Sequence, residues 1–150
     1  MIEVRELSDK QILDVLERTN YCHLAVSDGG EPYVVPIHYA YDDGYIFIYT
    51  TEGKKSRILE QNSRVSLQVE EVHDNENWVS VIVQGEAERI TDEDEFAAAL
   101  HIVAEINPTL TPAVSVRWQD SWVRENIPAI YRIAIIETSG RRSVPPKRRR

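Results

Sequence analysis

The chain has a single cysteine, Cys22, among its 150 residues. An intrachain disulfide is therefore excluded, and a thiolate zinc or iron–sulfur site has no ligand set. Long apolar runs are missing too. Nothing approaches the roughly 18 residues of a membrane-spanning helix, so no membrane partner is expected. The start, Met1-Ile2-Glu3-Val4-Arg5-Glu6, has no basic stretch leading into an apolar one. It reads as no secretory signal, and the protein is expected to be cytoplasmic. Basic residues are scarce in the body. Residues 141–150 carry six of the 17 Lys and Arg and no acid, which leaves residues 1–140 with 11 basic against 25 acidic side chains, a net of −14. A nucleic-acid partner is not expected, because such a face needs clustered cations to displace counterions from phosphates. Walker, Gly-x-Gly-x-x-Gly and Gly-x-Ser-x-Gly motifs are absent. His23, His38, His73 and His101 do not stand at zinc-site offsets from carboxylates, and no metal is expected.

What is present reads as one ordinary domain. Hydrophobic residues make up 42% and charged residues 28%, which argues against disorder throughout. Residues 1–138 are expected to form the domain and residues 139–150 a basic, disordered tail. Ser8 with Gln11 three residues on is a capping-box pattern, and it predicts a short amphipathic helix over 9–18. Strands are predicted over 21–27, 33–41, 45–50, 65–72, 78–90 and 130–136. Asp28-Gly29-Gly30 and Asp42-Asp43-Gly44 are turns between them. Pro36 lacks an N–H, so its strand lies at an edge or carries a bulge, and Gly85 marks a bend or bulge. A polar loop over 51–57 leads into a short helix over 58–62, and a second helix spans 92–105. Residues 109–127 are ambiguous, although Trp118 and Trp122, four apart, suggest a helical turn. Six strands with early hairpins and few helices predict a mainly β fold with peripheral helices: an antiparallel barrel-like sheet rather than a βαβ repeat.

One local feature carries chemistry. Lys54, Lys55 and Arg57 fall within four positions, between a strand end and a helix start, in a body otherwise poor in cations. Gly53 lets a backbone approach a ligand closely, and Thr50, Thr51 and Ser56 add hydroxyls. Backbone N–H groups at a helix start, together with cations, make a phosphate site. On spacing alone, the plainer reading of a solvated basic turn is favoured, because such turns are common. His38 is the histidine to watch, on a strand just before this loop. Tyr33, Tyr39 and Tyr41 alternate and are expected at a sheet surface. Trp78, Trp118 and Trp122 suit stacking on a ligand and packing in a core or interface equally well.

Ordered stretches across residues 8–105 add a resemblance. They are His23-Leu24-Ala25-Val26 with Gly30, Tyr33-Val34-Val35-Pro36-Ile37, Asp43-Gly44-Tyr45-Ile46-Phe47, Glu52-Gly53-Lys54-Lys55, Asn62-Ser63-Arg64-Val65-Ser66 and Ser80-Val81-Ile82-Val83-Gln84-Gly85-Glu86-Ala87. Together they resemble the FMN-binding split-barrel superfamily of pyridoxamine 5′-phosphate oxidase-like proteins, and within it the 5-nitroimidazole resistance branch. The resemblance implies a six-stranded split β-barrel that binds FMN in a groove between the subunits of a homodimer. The strand with Val35, Pro36, Ile37 and His38 would run beside the isoalloxazine ring. Thr50, Thr51, Gly53, Lys54, Lys55 and Arg57 would hold the phosphate, with Lys55 as the basic anchor. Trp78 and Ser80 would close the site.

The activity implied is flavin-dependent oxidation or reduction of a small-molecule substrate, with NADH, NADPH or a reduced deazaflavin as electron donor and no catalytic side chain assigned. Lys54 stands where some nitroimidazole-resistance members carry histidine, so nitroimidazole reduction itself does not carry over. Residues 106–150 hold no pyridoxal-phosphate clamp, so true pyridoxamine-phosphate oxidation is not expected either. The rivals are a non-catalytic sensor or carrier holding flavin or haem, with His38 or His23 as axial ligand, and a structural dimer with an empty pocket.

Overall fold

The structure is a computed structural model that describes residues 1–106 and 127–147. Its elements in chain order are β1 (Glu3–Glu6), α1 (Asp9–Arg18), β2 (Tyr21–Asp28), β3 (Glu31–His38), β4 (Ala40–Asp42), β5 (Tyr45–Thr51), α2 (Lys54–Gln61), β6 (Arg64–Asp74), β7 (Asn77–Arg89), α3 (Glu93–Ile106) and β8 (Pro128–Val144). The strands form one antiparallel sheet in the order β3-β2-β6-β7-β8-β5-β4, with β1 added to the far stretch of β8. The sheet curls as a split barrel does without closing, so β3 and β4 remain its edges.

Local chemistry explains the corners. Gly29 and Gly30 have φ of 54° and 88°, which closes the β2–β3 hairpin in the doubly left-handed turn that glycine permits. At the β7–β8 crossing the register shifts between Gln84 and Gly85. A Cβ on Gly85 would lie 2.6 Å from Ile133 Cγ2 and 2.8 Å from the Ala134 carbonyl, so only glycine allows the strands this close. Alternation then selects the interior. Leu24 and Val26 on β2, Ile46 and Ile48 on β5, Val65, Leu67 and Val69 on β6, Val81 and Val83 on β7, and Tyr131 and Ile133 on β8 all point into one core. Two short helices cover it: α1 through Ile12, Val15 and Leu16, and α2 through Ile58 and Leu59. The third, α3, packs Ala99 and Val103 on the outer side of β5, β4 and β8, against Phe47, Ala40 and Ile130.

Four expectations need correction. Among the described residues the sheet has eight strands, not six. The extra ones are β1, which pairs with the end of β8, and β4, because the stretch 33–41 breaks at Tyr39. That side chain turns inward to donate to the Leu16 carbonyl at 2.9 Å, while its N–H goes to Asn20 rather than into the ladder. Tyr39 is thus buried, not at a sheet surface. Residues 139–144 are not a disordered tail but the last part of β8, paired with β1 and β7. Gly140 and Ser143 are buried there while Arg141 is exposed, and pairing with β1 and β7 carries the strand through the basic run. Finally, the basic residues expected in a loop belong to a helix, since α2 begins at Lys54. Pro36 behaves as expected: β3 is an edge strand, and a missing donor is tolerated there. Residues 107–126, with Trp118 and Trp122, lie outside the described residues.

Candidate functional site

The strongest site is the mouth of α2. Strand β5 ends at Thr51, Glu52 anchors the turn by donating its N–H to the Ile127 carbonyl at 2.8 Å, and Gly53 caps the helix. The Gly53 cap has no side chain. Instead Ser56 Oγ accepts the Gly53 N–H at 2.8 Å and donates to the Gly53 carbonyl at 2.9 Å. The first rung of the helical ladder is the Arg57 N–H on that same carbonyl, at 3.1 Å. The amides of Lys54, Lys55 and Ser56 precede that rung and so have no intrahelical acceptor. A Cβ at Gly53 would meet nothing within 4 Å, so the mouth is open.

Its electrostatics are one-sided. Arg5, Arg18, Arg89 and Arg132 each pair with a carboxylate, and Glu52, the acid nearest the mouth, is taken by Arg89 at 2.7 Å. Lys54, Lys55 and Arg57 have no carboxylate partner among the described residues. Lys54 and Arg57 are exposed. The Lys54 Nζ stands 4.5 Å from the centroid of the Tyr33 ring on β3. Lys55 is half-buried, and desolvation lowers its pKa. Its side chain borders an interior cavity of about 10 Å³ with Leu24, Ile37, Thr50 and Tyr131. That is room for one water at most, so a larger ligand must sit at the mouth and not inside the barrel. Thr50 Oγ1 and Tyr131 Oη are buried beneath this end without a hydrogen-bond partner among the described residues. Thr51 is half-buried beside them.

The β3 residues flank this mouth. Val35 is half-buried, Pro36 exposed, and Ile37 buried in the core. Ile37 can therefore offer a ligand only its backbone. His38 is exposed, with Nδ1 3.2 Å from the Asn20 carbonyl.

Trp78 and Ser80 are not brought to the α2 mouth. The β7 residue bordering the Lys55 cavity is Ala87, seven positions from Ser80, or about 23 Å along a strand. The Trp78 N–H goes to Ser143 Oγ at 3.0 Å, and Ser80 Oγ accepts from Gln68 at 3.2 Å. Ser80 shares the outer sheet face with Tyr21, which stands edge-on between His23 and His38 with centroids 5.7 and 5.5 Å away. Tyr21, Val34 and Ile82 are exposed on this face. The lone thiol takes no part: Cys22 is buried, and desolvation pushes its pKa up to about 12.

A family model described as pyridoxamine 5′-phosphate oxidase matches residues 8–142. The chain belongs to this family. Among solved structures, an FAD-binding protein of Mesorhizobium loti is similar with a TM-score of 0.76 and 29% identity, over 96% of this chain and 99% of the other. A Bacteroides thetaiotaomicron protein assigned to 5-nitroimidazole antibiotic resistance shares the fold at TM-score 0.72 and 19% identity, over 95% and 89%. The FAD-binding protein of Mycobacterium smegmatis does so at 0.67 and 23%, over 92% and 97%. An uncharacterized protein of Rhizobium meliloti is 33% identical over 82 residues, 55% of this chain and 54% of its own, so the match spans about half that relative's length.

The donor set at the α2 mouth fits the phosphate of a flavin nucleotide. Free first-turn amides, two exposed cations, one half-buried cation and an open glycine cap are what a phosphate ester needs. Sequence reasoning named these residues but passed over two tyrosines that surround them. Alternation places Tyr33 at a sheet surface and the resemblance includes it in the Tyr33–Ile37 stretch, but neither sets it beside the cations. Tyr131 was given no role, although its place in the strand alternation at 129, 131 and 133 could have marked it as inward-facing.

Proposed function

We propose that the protein binds a flavin along β3 with its phosphate at the α2 mouth, works as a homodimer, and transfers electrons or hydride to a small molecule. The observation that carries the reading is the cluster of Lys54, Lys55 and Arg57 around the first turn of α2, without a carboxylate partner among the described residues, whereas Arg5, Arg18, Arg89 and Arg132 are each paired. Lys55 and Arg57 hold the phosphate, aided by the amides of the first turn. The outer backbone of β3 near Val35 to Ile37, an edge of the sheet unpaired among the described residues, offers hydrogen bonds to the polar rim of the ring. When bound, a flavin supplies the redox chemistry; the protein's part is to orient it and exclude water.

Two observations support a homodimer. Tyr21, Val34 and Ile82 are exposed together on one sheet face, which a second copy would bury. Trp78 and Ser80 lie too far along β7 to reach their own α2 mouth, so they complete a site only in a neighbouring copy. The FAD-binding relatives support a flavin and leave the choice between FMN and FAD to the residues at the phosphate end. An absorbance spectrum of the purified protein tests the reading. Flavin bands at about 375 and 450 nm are expected, and the released cofactor identifies the nucleotide. Colourless protein that takes up neither added FMN nor FAD would sink it, and a Soret band at about 400 nm would replace flavin with haem.

A further inference from the structure

We propose that Tyr33 is the seat of an adenine ring, so that this site takes flavin adenine dinucleotide in preference to the mononucleotide. The inference rests on the flavin reading above and specifies the ligand of the same site. Tyr33 packs against the core and carries the Lys54 ammonium over its ring, 4.5 Å from the centroid. A cation held at that position marks the electron-rich face of the ring, and Lys54, which covers it, is itself exposed.

The placement along β3 gives this face a use. Val35 to Ile37 flank the ring end of the proposed ligand. Tyr33 is two residues nearer the hairpin tip, and the Lys54 contact sets it beside the first turn of α2. The phosphate of a mononucleotide at the mouth is served by Lys55, Arg57 and the helix amides, and nothing in it reaches beyond. A dinucleotide adds a second phosphate and an adenosine at that very end. Lys54 has no carboxylate partner among the described residues, so it is free to leave the ring for the second phosphate. Adenine then stacks where the ammonium stood. One cation–π contact is exchanged for an ion pair and an aromatic stack.

Titration of the wild-type protein with riboflavin, FMN and FAD reads the preference directly. FAD is expected to bind about tenfold more tightly than FMN, the size of one base–aromatic stack. Tyr33→Leu should erase that advantage while leaving FMN affinity within about twofold, and Tyr33→Phe should keep it. A competition on the wild-type protein needs no variant to fold: ADP should displace bound FAD at about tenfold lower concentration than inorganic pyrophosphate does. Equal affinity for FMN and FAD, equal losses of both in Tyr33→Leu, or ADP no better than pyrophosphate each overturn the adenine seat while leaving flavin binding standing. Binding of none of the three flavins overturns the flavin reading and this inference with it.

Discussion

Helices α1 and α2 do the same work in the fold, each laying a short apolar face over the barrel core, yet they begin in opposite ways. The N-terminus of α1 is sealed by its own side chains. Ser8 Oγ accepts the Gln11 N–H at 3.2 Å, Gln11 Oε1 accepts the Ser8 N–H at 2.9 Å, and Asp9 sits in the first turn. The N-terminus of α2 has a glycine cap, no acid in its first turn and three cations in its first four positions. Cations at the positive end of a helix are locally unfavourable, by a few tenths of a kcal/mol or more each. Packing of Ile58 and Leu59, at about 1.5–3 kcal/mol apiece, holds the helix in spite of them. Thus α1 begins as a helix optimised for stability begins, and α2 begins open, as the proposed phosphate site requires.

Closing or disarming the α2 mouth should break this contrast, and four measurements test it. Lys55→Ala should weaken binding of FMN or FAD by about 10- to 150-fold, the loss of one charge-assisted contact of about 1.5–3 kcal/mol. Lys54→Ala should weaken FMN less, and riboflavin, which has no phosphate, should bind either variant as before. Equal and negligible effects on FMN would count against Lys55 as the anchor. Gly53→Asp should make α2 begin as α1 does. The added Cβ meets open space, so the protein should gain a few tenths of a kcal/mol in urea unfolding. The same carboxylate should repel the phosphate and cost about tenfold in flavin affinity.

The third test is pH. Burial lowers the Lys55 pKa, so its charge is lost at a lower pH than in an unfolded chain. Between the two values the unfolded state binds more protons, and stability rises with pH across that alkaline window. Phosphate binding needs the ammonium, so affinity should move the other way and fall as pH climbs through the lowered value. Lys55→Arg, which stays charged, should remove that fall in a titration series from neutral to alkaline pH. The smallest effect belongs to the sealed helix. Ser8→Ala should cost about 1 kcal/mol of stability and leave flavin binding unchanged, which calorimetry and titration can show side by side. Any loss of binding there would mean the two helix starts are coupled.

Much of this contrast is legible in the residues. Ser8 and Gln11 announce α1 because a capping box is a local, four-residue device. The alternation in residues 65–72 and the glycines of the two tight turns mark strands and corners for the same local reason. Lys54, Lys55 and Arg57 stand out because cations are otherwise rare. Two other features were not legible. The start of α2 at Lys54 depends on Ser56 clasping Gly53, an unusual cap with no sequence signature. The extension of β8 through Arg141 and Arg142 depends on β1 and β7 lying alongside, and its basic composition reads by itself as a solvated end.

The sequence alone determined which residues could bury themselves and which could hold an anion, because alternation, capping and charge act over a few positions. Register is different, since it is settled only when a whole sheet must bury one face at once. That register put Tyr33 beside Lys54, left Thr50 and Tyr131 without a partner among the described residues beneath the mouth, and carried Trp78 and Ser80 away from it. Those placements join residues from separate strands and helices, and only the packed sheet could decide them.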